Sequence, residues 1–84
     1  MIVKNIVSEQ EKSYVNVLAT VIGESKEVVD FEVQNRFRKL IKEDNEEMTE
    51  EEIDDCIENE MYYNDKAGHE FGIYIMTSDE IVET

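Results

Sequence analysis

Cys56 and His69 are the only cysteine and the only histidine in this 84-residue chain. A nucleophilic site needs the nucleophile, a base within hydrogen-bond reach and a third group that orients the base. Cys56 instead falls on the apolar stripe of a helical pattern, where a thiol acts as a small hydrophobe. His69 follows Gly68 in a turn-like stretch, and the two residues fall short of the four ligands of a zinc site. Glycines at 23, 68 and 72 make no phosphate cradle. Counted from Asp44, the third, fifth and sixth places of a calcium loop hold Glu46, Met48 and Thr49, without the glycine the sixth requires. Placing Gly68 sixth puts Tyr63 first and Tyr74 last, which is no better. The expectation is a chain with no catalysis, no cofactor and no dedicated metal site.

What remains is charge. From Glu43 to Glu60 the chain carries eleven carboxylates in eighteen residues and no Lys or Arg, which is most of the whole chain's −14. Were the stretch helical throughout, at ~1.5 Å per residue it would hold roughly one charge per 2.5 Å. Duplex DNA carries one per roughly 1.7 Å of axis. Abundant carboxylates do not imply acid–base catalysis, which needs a cleft that shifts one pKa. They do imply a cationic partner and diffuse attraction for divalent ions.

The elements that must position these carboxylates follow from periodicity. Thr49 with Glu52 has the form of a capping box, and Ile53, Cys56, Ile57 and Met61 then recur at helical spacing. That phase places Glu51, Asp55, Glu58 and Tyr62 on the opposite, solvent-facing side. Glu51 with Asp55, and Asp54 with Glu58, are like charges four apart and repel. Ahead of this helix, Ser25 to Asp44 fits either period. Val29, Val33, Phe37, Leu40 and Ile41 form a helical stripe with Ser25 as N-cap, whereas Val29, Phe31 and Val33 alternate as a strand would. Helix is the reading from Gln34 onward. Arg36, Arg38, Lys39 and Lys42 sit near its C-terminal end, where the dipole favours cations, and would neutralise part of the acidic stretch.

Strand signals flank the helices. Tyr14 to Ile22 is β-branched, with Val15, Val17, Ala19 and Val21 on one face, and Gly23 ends it. Glu70 to Thr77 alternates Phe71, Ile73 and Ile75 against Gly72, Tyr74 and Met76. Ile2 to Val7 reads as an edge strand or a frayed terminus, Tyr62 to Gly68 as a turn, and Ser78 to Thr84 as a short strand through Ile81 and Val82 or a frayed end. Tyr14, Phe31, Phe37, Phe71 and Tyr74 read as core or sheet residues. The fold class expected is α+β: one domain over residues 1–84, a small antiparallel sheet of two to three strands covered on one face, and two helices, the second strongly acidic. The other face of the sheet, left apolar, would close a homodimer.

A pI near 4.2 argues against direct binding to nucleic acid or to an anionic membrane. No apolar run is long enough to cross a bilayer, the start lacks a signal-peptide pattern, and one cysteine suits a reducing compartment, so the cytoplasm is expected.

Small size, strong acidity and the clustered carboxylates of Glu43 to Glu60 resemble the phage-encoded acidic DNA mimics, such as uracil-DNA glycosylase inhibitor, anti-restriction proteins and inhibitors of the nucleoid protein HU. The resemblance covers no alignable motif, so no family residue is carried over. It implies a non-enzymatic inhibitor whose carboxylates fill the phosphate sites of a basic DNA-binding protein during host takeover: an HU-type protein first, a restriction or CRISPR effector or RNA polymerase otherwise. The residues expected to meet the partner are Asp44, Glu46, Glu47, Glu50, Glu51, Asp54, Asp55, Glu58 and Tyr62. The alternatives are an acidic adaptor or antitoxin-like module that binds a basic protein outside any DNA site, and a domain whose acidity serves only solubility.

Overall fold

A computed structural model describes residues 1–10, 14–66 and 70–77. The order is β1 (Ile2–Gln10), β2 (Tyr14–Gly23), α1 (Lys26–Asp44), α2 (Glu50–Asn59), β3 (Met61–Asn64) and β4 (Phe71–Thr77). The strands form one antiparallel sheet in the order β2-β1-β4-β3. The α+β class therefore holds, with four strands where two to three were expected. His69, Gly68 and the segment with Ile81 and Val82 lie outside the described residues.

Helix wins over strand from Lys26 because the i, i+4 stripe can be buried whole. Val29, Val33, Phe37 and Ile41 are all at most 1 % exposed and pack with Ile53 and Ile57 of α2 and Ile6, Val21, Ile73 and Ile75 of the sheet. Ser25 is the N-cap residue in extended conformation, without a side-chain capping bond. Phe31, expected in the core or the sheet, lies on α1 and is 67 % exposed. On a helix it points away from the Val29–Val33 stripe, whereas a strand would have put all three on one face.

One detail corrects the sheet, and another shows why β2 ends as expected. The pairing skips a residue between Ile6–Ala19 and Val7–Val17, leaving Leu18 as the extra residue of a bulge. The bulge breaks the period-two pattern, so Val17 leaves the face of Ala19 and Val21 and is 52 % exposed. Gly23 is the last residue of β2 and pairs with Ile2. A Cβ there would lie 2.9 Å from Val29 Cγ2, so its smallness admits α1 to the sheet.

Candidate acidic interaction surface

The acidic stretch is a helix end, a turn and a second helix, not one rod. α1 stops at Asp44, and the Asn45 N–H still reaches Ile41 O at 2.9 Å. Asn45 Oδ1 then accepts from Glu47 N at 3.2 Å, an Asx turn that carries the exposed Glu46 and Glu47 across to α2. The expected capping box is present. Thr49 Oγ1 accepts from Glu52 N at 3.2 Å, and Glu52 Oε1 accepts from Thr49 N at 3.0 Å. The Thr49 N–H, followed by its hydroxyl, holds the Glu52 carboxyl below the usual carboxylate range.

α1 and α2 are joined by a clasp of charge. Arg38 Nη1 donates to Glu50 Oε2 at 2.7 Å and Nη2 to Asp54 Oδ1 at 2.6 Å, so one guanidinium spans two carboxylates a turn apart. Lys42 Nζ lies 2.7 Å from Glu50 Oε1. Lys42 first, then Arg38, lower the Glu50 pKa, and Asp54 above all raises that of Arg38. Arg38 and Lys42 thus do the neutralising expected of the basic cluster. Glu50 and Asp54 are 64 % and 62 % exposed and already committed to α1.

Two of the residues expected at the partner surface belong to the fold instead. Tyr62 is 3 % exposed, and its hydroxyl donates to Asp44 Oδ2 at 2.6 Å. Asn64 Nδ2 donates to the same oxygen at 2.9 Å. Burial first, then the bond to Asp44, pushes the Tyr62 hydroxyl well above its ordinary value. The helical phase expected to carry Tyr62 outward ends at Asn59, because Glu60 takes the left-handed conformation at φ 56°. The Glu60 carbonyl then accepts from Ile75 N at 3.0 Å, and Met61–Asn64 continues as a strand. Tyr62 turns into the core, and Met61, expected on the apolar stripe, is 49 % exposed. The alternation Met61-Tyr62-Tyr63-Asn64 is the sequence signal for β3, but four residues are few for a period of two.

Glu51, Asp55 and Glu58 lie where the sequence placed them. All three are exposed, opposite Ile53 and Ile57, and no ion pair engages them among the described residues. From Glu51 to Glu58 the helix rises about 10.5 Å, so its three charges stand roughly 5 Å apart along the axis. One strand of B-DNA presents one per ~3.4 Å. The density estimated for a continuous helix does not apply to the bent chain, and the outer stripe of α2 is sparser along its axis than a single phosphate strand.

Other chemistry on this side is muted. Burial, then Asp55 and Glu52, raises the thiol of half-buried Cys56. Among the described residues no cluster of three or more His, Cys, Asp or Glu is placed to hold a metal ion, and no helix is long and apolar enough to cross a membrane. Comparison with known proteins returns nothing: no family model fits the sequence, and no curated protein or solved structure matches it.

Proposed function

We propose that the chain is a non-enzymatic inhibitor that sets the outer stripe of α2 and the preceding turn into the DNA-binding groove of a basic protein. The observation that carries this reading is the division of labour along α2. Glu50, Asp54 and Glu52 are tied to Arg38, Lys42 and Thr49. Glu51, Asp55 and Glu58 face outward as a fixed row of negative charge on a docked helix. Fixed negative charge of that kind steers a cationic partner and competes with DNA. An HU-type nucleoid protein is the first target, with a restriction or CRISPR effector or RNA polymerase next, and the setting is the cytoplasm of a phage-infected host.

One observation favours the adaptor reading. Phe31 and Val28 are 67 % and 59 % exposed on the outer side of α1, and a phosphate strand has no such apolar feature to imitate.

Purified bacterial HU, a type I restriction enzyme and RNA polymerase, each loaded with fluorescent duplex DNA, separate the readings. Under mimicry, a stoichiometric amount of this protein releases the DNA from at least one of them at low salt, and added salt abolishes the effect. A complex that keeps its DNA while binding this protein supports the adaptor, and no binding to any of the three refutes mimicry of these targets.

A further inference from the structure

The sheet has a second face that no described residue covers. The register pairs Val7 with Val17 and Tyr74, Asn5 with Thr20 and Met76, and Gly72 with Tyr63, which places these side chains away from the helices. Val17, Ile22, Met61 and Tyr63 on this face are 52 %, 60 %, 49 % and 53 % exposed, while Val7 between its partners is 1 % exposed. Polar groups here are few. Thr20 Oγ1 donates to Asn5 Oδ1 at 2.7 Å, and Glu9 has the Tyr74 hydroxyl beside it, with Glu70 and Asp65 near Tyr63 at the same end of the face. A Cβ on Gly72 would fall 2.9 Å from Tyr63 Cδ2. Tyr63 therefore lies down on the glycine, already ordered before any partner arrives.

The geometry points to a homodimer in which two copies of this chain close sheet to sheet across this face. Charge selects the occupant. Among the described residues a basic protein would find only Glu9, Glu70 and Asp65 here, grouped around Tyr63 at one end of the face, and an anionic lipid surface would repel a chain of net charge −14. Two copies meeting through their helices would press carboxylates together. Meeting through their sheets, they turn the acidic layers outward, separated by about twice the 17 Å thin dimension of the chain, several times the ~8 Å screening length of physiological salt. Each dimer would then carry two acidic stripes on opposite sides.

Sedimentation equilibrium tests this without any target protein. A mass twice 9.9 kDa is expected at micromolar concentration. Screening of the residual repulsion should make the dimer as tight or tighter in added salt, opposite to the salt response expected of a complex with a basic target. Val17→Lys with Tyr63→Lys should raise the dissociation constant at least tenfold with an unchanged far-UV spectrum, while Phe31→Lys on α1 leaves it unaltered. Isotope-filtered NMR on the wild type covers the case in which the double variant unfolds, with intermolecular contacts expected between Val17 and Met61 methyls. A monomer at 100 µM, dissociation by Phe31→Lys, or intermolecular contacts between β2 backbones in place of face contacts would each overturn the proposal.

Discussion

Removing the three outward charges of α2 separates their effect on the fold from their effect on a partner. In Glu51→Gln/Asp55→Asn/Glu58→Gln, the like pairs 51–54, 51–55, 52–55, 54–58 and 55–58 disappear, and relief of about 0.2–0.5 kcal/mol for each gives about 1–2 kcal/mol. Glu51 in the first turn loses a favourable dipole interaction and Glu58 in the last turn an unfavourable one, so those effects nearly cancel. For a domain of this size, 1 kcal/mol raises the melting midpoint by roughly 4–8 °C. Binding should move the other way. Three partly exposed charge contacts at roughly 0.5 kcal/mol each amount to about 1.5 kcal/mol, slightly more than tenfold in affinity. Thermal melts by circular dichroism and titration calorimetry against HU, or whichever of the three targets binds, read the two effects. The control Glu24→Gln/Glu27→Gln/Glu32→Gln removes the same net charge from exposed positions outside the acidic stretch and should leave affinity within about twofold. A triple variant of α2 that loses stability, or that binds as tightly as the control, would refute the reasoning.

Further expectations rest on single groups. Glu60→Gly relieves a left-handed backbone at a helix end, where a non-glycine residue is strained by about 1–2 kcal/mol, and after the entropy of the unfolded glycine should gain about 0.5–1 kcal/mol in urea denaturation. Tyr62→Phe removes a buried hydrogen bond to a carboxylate and should cost about 1.5–3 kcal/mol in the same assay. The Glu50 pKa is lowered in the fold, so its contribution is complete above the ordinary glutamate range and is lost as pH falls through the folded value. Melts from pH 7 to pH 3 should therefore show a steeper acid loss for wild type than for Glu50→Gln, and parallel curves would discount the clasp.

Legibility in the sequence followed the strength of each local signal. The capping box of Thr49 and Glu52 and the outward placement of Glu51, Asp55 and Glu58 were readable because a short, capped helix holds one phase. Tyr62 was misplaced because that phase was extended through Glu60, and a left-handed glutamate announces itself in no pattern. Val17 was misplaced by a bulge, which a strict alternation cannot represent. The Arg38 clasp was visible only as a basic cluster near an acidic one, since the turn at Asn45 that brings α2 back against α1 has to be known before Arg38 can be assigned to Glu50 and Asp54. Asp44 looked like surface because its two donors come from β3, eighteen and twenty residues on.

Those assignments also sort the acidity by consequence. Glu50 and Asp54 hold α2 to α1, Glu52 closes the cap, and Asp44 anchors β3, so these carboxylates account for themselves within one chain. Glu51, Asp55 and Glu58 engage no cation among the described residues, and on a helix they can only repel one another. An acidity needed merely for solubility could be scattered or interleaved with lysine, which would lower the self-repulsion at no cost to hydration. Concentrating it on the layer opposite the open face of the sheet leaves two surfaces of different character, one dense in negative charge and one largely apolar. Salt should weaken association through the first and spare or strengthen association through the second, so an ionic-strength series on the wild-type protein is enough to assign any complex it forms to one face or the other.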